Sequence, residues 1–236
     1  TGGFGIKADS IASYSPYIQM VTAVFMLLFG VNFSCYYLLL LRQFRSVFRD
    51  EELRLYFGLV IGSVILISVN LIGIYSNVGE TLRHAFFQVS SIITTTGFAT
   101  VDFDQWMPFA KTVIVVLMFI GACAGSTGGG FKVSRIMLLF KGLKREMKRM
   151  LYPNKVELVT MDKRPVENGA ILAVGMYLVC YVMVIVFSSV IISLNGVSFT
   201  TNFTAVVSCL NNIGPGLEAV GPTANFGFFS PLSKAV

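Results

Sequence analysis

Four long apolar stretches set the rhythm of the chain: Tyr17 to Leu41, Leu55 to Tyr75, Thr112 to Phe131 and Gly169 to Leu194, none containing a charged residue. About 20 residues at a rise of about 1.5 Å each cross a hydrocarbon core, so the pattern predicts four transmembrane helices. Two shorter segments, roughly Glu80 to Ile93 and Phe199 to Leu210, mix apolar and polar positions and predict half-length helices. Each runs into a short turn centred on a glycine, and the first of these turns is unusual: Thr94-Thr95-Thr96-Gly97-Phe98.

The two half-helix segments are copies of one unit. Setting Gly97 over Gly214 aligns "FFQVSSIITTTGFA" with "FTAVVSCLNNIGPG" at an offset of 117 residues, and matches Phe86 with Phe203, Val89 with Val206 and Ser91 with Ser208. Thr1-Gly2-Gly3-Phe4-Gly5 fits the same turn, with Gly3 under Gly97, and is followed by an outer loop with a proline and then a span. Repetition on this scale marks one recurring structural unit. It yields the unit helix, re-entrant half-helix, extended turn, helix, and predicts three segments. Residues 1–50 hold the turn and closing helix of one pore unit, 51–150 a complete unit, and 151–236 a unit without its final helix. The opening carries no initiator Met and no leader-like pattern, so the chain reads as an internal fragment.

Composition agrees with a membrane setting. Hydrophobic residues make up 55% of the 236 and charged residues 13%, too little polar surface to coat a soluble globule. The predicted fold class is all-α and integral to the membrane, with repeated helix, pore-loop, helix units around a central pore. Fourteen of the 18 basic residues fall in two linkers: Arg42, Arg45, Arg49 and Arg54 after the first span, and Lys132, Arg135, Lys141, Lys144, Arg145, Lys148, Arg149, Lys155, Lys163 and Arg164 after the third. The positive-inside rule makes both linkers cytoplasmic and puts the turns on the outer side. Topology explains the basic run, so no nucleic-acid partner is expected; anionic lipid heads or a cytosolic protein suit it. The four cysteines lie in apolar surroundings without paired or metal-like spacing and read as small hydrophobes.

Irregular backbone at membrane depth survives only where protein or a wet cavity takes up its polar groups. A Thr-Thr-Gly-Phe turn aims successive carbonyls at one axis, with glycine supplying the conformation that other residues resist; such carbonyls replace the hydration shell of K⁺. The half-helix before the turn brings its partly negative carbonyl end toward the same place. The plainer reading, that Gly97 allows close helix packing, does not explain three copies in one context.

With "SSIITTTGFATVDFDQWMPFAK", "GACAGSTGGGFKVSR" and "CLNNIGPGLEAVGPTANF", the whole chain resembles the TrkH/KtrB superfamily of potassium transporters. That resemblance implies four units around one pore, each giving one strand of a reduced potassium filter. It assigns Thr1, Gly2 and Gly3, then Thr95, Thr96 and Gly97, then Asn212, Ile213 and Gly214 as three of the four strands. The last departs from the pattern, with Asn for Thr and Pro215 for the aromatic, which implies a less regular filter. Five glycines with Ser126 and Thr127 interrupt the third span, where a helix is disfavoured; the resemblance makes Gly125, Ser126, Thr127, Gly128, Gly129, Gly130 and Lys132 an intramembrane gating loop. It further implies K⁺ as transported ion rather than catalytic cofactor, a homodimer in the bacterial inner membrane, and a cytosolic nucleotide-binding regulatory ring of the TrkA type.

Three other patterns carry less. Gly125 to Lys132 has P-loop-like glycines, but the lysine falls one place late and no strand precedes it. Asn32-Phe33-Ser34 and Asn202-Phe203-Thr204 match a glycosylation acceptor inside membrane segments. An intramembrane serine hydrolase would use Ser126 as nucleophile and His84, the only histidine, as base; the topology sets the two at opposite depths. The reading favoured by the sequence is a pore-forming potassium uptake protein with no enzymatic activity.

Overall fold

The computed structural model describes residues 2–7, 9–75, 77–152 and 158–235. The predicted filter residue Thr1 and the basic residue Lys155 lie outside the described residues.

The first apolar stretch is not one helix. Helix α1 (Pro16–Phe29) starts at Ser15, whose hydroxyl accepts from Ile18 N–H, with Pro16 in the first turn, where its missing N–H costs nothing. It stops at Gly30, and α2 (Phe33–Leu40) departs at 90°. The expectation of a continuous span over 17–41 is therefore corrected. Asn32 is the reason on one side of the break: its side chain caps α2 by accepting from Ser34 N–H at 2.9 Å, as short polar side chains do at N-caps. On the other side Gly30 is packed close: a Cβ there would lie 2.4 Å from the Tyr56 hydroxyl.

The second and fourth stretches are spans. A short α3 (Phe44–Arg49) leads to α4 (Glu51–Asn70), capped by Asp50, whose carboxylate accepts from Leu53 N–H at 2.8 Å. α4 is 20 residues long and the later α8 (Asn168–Ser193) 26, with peak mean hydropathies of 1.8 and 2.6. α8 leaves Leu172, Met176, Val179, Met183, Phe187 and Val190 exposed, and a helix apolar on all sides is one that spans a membrane or lies in a large core.

The half-helices are where the sequence placed them: α5 (Val78–Ile93) and α9 (Phe199–Leu210). At 16 and 12 residues they reach about 24 and 18 Å, short of a core about 30 Å thick. α5 is the most enclosed element, with Ala85, Phe87, Val89, Ile92 and Ile93 buried together with Gln88, Ser90 and Ser91. It packs between α1, α4 and α6 (Pro108–Ile120).

The third stretch is corrected as well. α6 covers 13 residues and stops at Gly121, with φ 73°; the chain then runs as a loop to Lys132 before α7 (Val133–Leu151) begins. α7 carries much of the basic linker and is followed by a two-residue antiparallel hairpin, β1 (Thr160–Met161) with β2 (Arg164–Pro165). The hairpin is tied back to the start of α4: Asp162 Oδ1 accepts from Glu51 N–H at 2.9 Å, and Lys141 pairs with Glu51 and donates to the Thr160 carbonyl. A short α10 (Pro231–Ala235) ends the described chain.

Candidate ion pathway: convergent turns over an intramembrane loop

The repeat inferred from residue identities recurs bond for bond. After α5, the amides of Thr94, Thr95 and Thr96 donate to the carbonyls of Ser90, Ile92 and Ser91; after α9, those of Asn211, Asn212 and Ile213 donate to Val207, Cys209 and Ser208. Each pair is separated by the same 117 positions. Both helices are closed by a left-handed residue, Thr95 at φ 54° and Asn212 at φ 54°, with a left-handed glycine two places on, Gly97 at φ 82° and Gly214 at φ 118°. Asn tolerates this conformation; a β-branched Thr is strained by it, a detail not evident in the run of three threonines.

The matched serines hold the turns in opposite senses. Ser91 Oγ donates to the Phe98 carbonyl at 2.6 Å, whereas Ser208 Oγ accepts from Gly214 N–H at 3.0 Å. One small hydroxyl at the same helical position thus satisfies either a loose carbonyl or a loose amide, and neither is left bare at depth.

The three turns converge. A Cβ on Gly97 would fall 1.8 Å from the Ile213 carbonyl oxygen and 2.5 Å from Gly3 N; one on Gly214 would fall 2.4 Å from the Gly2 carbonyl oxygen. Gly3 N–H donates to the Thr96 carbonyl at 3.0 Å. The structure therefore brings Gly2, Gly3, Thr96, Gly97, Ile213 and Gly214 to one place, with turn backbones in direct contact. In this arrangement the Thr96 carbonyl is engaged by a neighbouring strand rather than presented to an open axis, which differs from the carbonyl-lined path expected from the sequence.

The glycine-rich segment lies directly beneath. Gly129 N–H donates to Thr95 Oγ1 at 2.6 Å. A Cβ on Gly129 would lie 2.3 Å from the Asn211 carbonyl oxygen and one on Gly128 3.1 Å from that of Thr94, so the loop's crest seats on the ends of both half-helices. No larger residue fits there. Ser126 Oγ turns back to the Cys123 carbonyl at 2.6 Å, Thr127 N–H reaches the Phe29 carbonyl at 3.3 Å, and the Lys132 ammonium donates to the Gly128 carbonyl.

The break in the first stretch and the loop in the third satisfy each other. Phe29 and Gly30, whose carbonyls lose helical partners at the break, accept from Thr127 and Cys123; the Gly125 carbonyl in turn accepts from Phe33 N–H. The loop's neck is closed by Phe131 N–H to Phe119, Lys132 N–H to Ile120 and Val133 N–H to Ala122. The segment is an ordered loop tied to its surroundings by these hydrogen bonds, each worth on the order of 1 kcal/mol.

Ser126 and His84 are not brought together. His84 Nδ1 meets Thr100 Oγ1 at 3.0 Å, and its ring packs at 5.3 Å on Tyr75, whose hydroxyl accepts from Trp106 Nε1 at 2.9 Å. With Ser126 bonded to a carbonyl of its own loop, no base–nucleophile pair forms. Among the described residues no group of three or more His, Cys, Asp or Glu is placed to hold a metal ion.

Sequence reasoning missed Glu52, which is 4% exposed and whose Oε1 accepts from Ala124 N–H at 2.7 Å and Ser134 N–H at 3.0 Å. The local signal was an acidic residue in the first turn of a span, which reads simply as a favourable helix-dipole charge.

Half-helices that stop inside the membrane, end in convergent glycine turns and rest on an ordered loop define a helical membrane protein of the pore-loop class. The chain belongs to the TrkH family: residues 1–236 match the family described as cation transport protein. It is 38% identical over 237 residues to the Trk system potassium uptake protein TrkH of Salmonella typhimurium (strain LT2), covering 99% of the chain and 49% of that protein. It is 30% identical over 239 residues to the Trk system potassium uptake protein TrkG of Escherichia coli (strain K12), covering 100% of the chain and 49% of that protein. Among solved structures, the potassium transporter TrkH from Vibrio parahaemolyticus superposes with a TM-score of 0.87 at 30% identity, over 99% of the chain and 51% of that structure. The chain thus spans about half the length of the relatives it matches.

Proposed function

We propose that the chain forms the later part of a four-unit potassium uptake pore. Residues 1–50 supply the end of the second unit, 51–150 the third, and 151–236 the fourth up to its final helix. The observation that carries this reading is the meeting of the three glycine turns above a loop seated on two half-helix ends. Gly2-Gly3, Thr95-Thr96-Gly97 and Asn212-Ile213-Gly214 select K⁺, with some passage of Na⁺ through the irregular last strand, and residues 125–130 with Lys132 obstruct the path until they move. No bond-making chemistry is involved: a monovalent cation falling through the membrane potential gains about 2.3 kcal/mol per 100 mV. The protein resides in the bacterial inner membrane as a homodimer, its basic linkers cytoplasmic and contacting a nucleotide-binding ring of the TrkA type.

The test is ion flux by the full-length protein in liposomes under an imposed voltage, without a proton gradient. K⁺ and Rb⁺ should pass well ahead of Na⁺ and Li⁺, and deleting residues 126–129 should raise basal K⁺ flux severalfold. Flux that appears only with a proton or sodium gradient would refute a passive pore, and a deletion that leaves flux unchanged or lower would refute the loop's role as barrier.

A further inference from the structure

We infer that Glu52 is the positioning residue of the gate, a carboxylate staple that holds both ends of the glycine loop closed; this rests on the pore reading above. A single oxygen, Oε1, accepts from Ala124 N–H, just before the loop's first interior glycine, and from Ser134 N–H, just after the loop re-enters helix. The two amides belong to residues 72 and 82 positions away along the chain. They are bound by one atom on a different helix, so the two strands of the loop's neck cannot separate while the oxygen stays in place.

The chemistry suits a clamp. Ser134 N–H is in the first turn of α7, where amides have no helical partner, and Ala124 N–H is in irregular backbone. Both are half-buried donors that need an acceptor, and a carboxylate forms stronger bonds to amides than a neutral carbonyl does. Glu52 is itself buried beside Cys35 and Cys123, where a charge is costly unless so bonded. A helix-dipole role alone would leave this side chain in solvent.

The staple is also connected to the basic side of the molecule. Its neighbour Glu51 pairs with Lys141 of α7, and Glu51 N–H donates to Asp162 of the hairpin. One turn of α4 therefore carries the loop's staple on one residue and the anchor of α7 and the hairpin on the next. Displacement of α7 or the hairpin pulls on the same turn.

The experiment compares Glu52→Ala, Glu52→Asp and Glu52→Gln in the full-length protein, by amide hydrogen exchange of residues 122–134 and by basal K⁺ flux. Ala removes the acceptor, Asp withdraws it by one methylene while keeping the charge, and Gln keeps an oxygen at the same reach. Ala and Asp should speed exchange in this segment by about tenfold and raise basal flux; Gln should restore most of both. Exchange in α8 should be unmoved, which separates a local release from general loosening. If Ala does not fold, the Asp and Gln pair decides. Unchanged exchange in Asp and Ala overturns the staple, and so does faster exchange with unchanged flux in a protein whose loop deletion conducts. If every form including the loop deletion is silent, the pore reading fails, and the exchange ratios still judge the clamp.

Discussion

Gly97→Ala is the sharpest perturbation of the convergent turns. The added methyl would start 1.8 Å from the Ile213 carbonyl oxygen, and since real Cβ contacts essentially never fall below 3.0 Å, the two strands must part by about 1.2 Å. The backbone at φ 82° adds its own cost: a Cβ in the left-handed region is disfavoured by about 1–2 kcal/mol, and overpacking typically adds about 1–3 kcal/mol, so about 2–5 kcal/mol together. Gly73 provides the control, having φ 93° with nothing within 4 Å of an added methyl; Gly73→Ala carries only the conformational part. Denaturation midpoints of the two variants and the wild type should therefore be ordered wild type, Gly73→Ala, Gly97→Ala. On the pore reading, a shift of about 1.2 Å changes the spacing of the carbonyls that replace the ion's hydration shell, so K⁺ over Na⁺ flux should fall for Gly97→Ala alone. Equal midpoints for the two variants, with selectivity retained, would refute both the packing argument and the assignment of this turn to the filter.

Two further outcomes follow from charged groups outside the spans. The Ser198 hydroxyl, with help from those of Thr201 and Thr200 and from Lys111, holds the Glu218 carboxyl below its ordinary range against a smaller opposing effect of burial. Its stabilising share is complete above the ordinary carboxylate pKa and disappears as pH falls through the lowered folded value; Glu218→Gln should therefore flatten the acid limb of a stability–pH curve and leave the neutral region little changed in slope. On α7, Lys144 and Arg149 are exposed, although Arg149 lies 3.9 Å from Glu146, while Arg145 is committed to Glu146 and Asn168; neutralising Lys144, Arg145, Lys148 and Arg149 together should abolish co-purification of an acidic cytosolic partner. Unchanged retention in moderate salt would count against a docking face there.

How much of this was legible in the sequence varies with the range of the interaction. Helices α5 and α9 were readable to within two residues, because their length, mixed polarity and terminal glycine turns are local properties. The break at Gly30 was not. An apolar count treats "GVNFSCYY" as continuous helix, and Gly30 and Asn32 acquire meaning only once Tyr56 crowds the first and the glycine loop takes up the carbonyls that the bend releases. The same applies to α6, where five glycines signalled an interruption but not that its carbonyls and amides would be exchanged with those of a second broken helix.

This exchange bears on why the proposed gate would be built from two interruptions rather than one. A lone loop at membrane depth would leave amides and carbonyls bare at several kcal/mol each. Here Phe29 and Gly30 accept from Thr127 and Cys123, Phe33 donates to Gly125, and Thr95 Oγ1 and Glu52 accept from the amides of Gly129, Ala124 and Ser134. The closed loop is therefore stabilised by partners on α1, α2, α4 and the filter turn at once. On the pore reading, opening it breaks these bonds in concert or supplies water to replace them, which makes a wetted cavity beneath the loop a condition of conduction. Among these partners Glu52 binds both ends of the loop with a single atom, and it adds a side-chain staple to the three backbone bonds from Phe131, Lys132 and Val133 that close the neck.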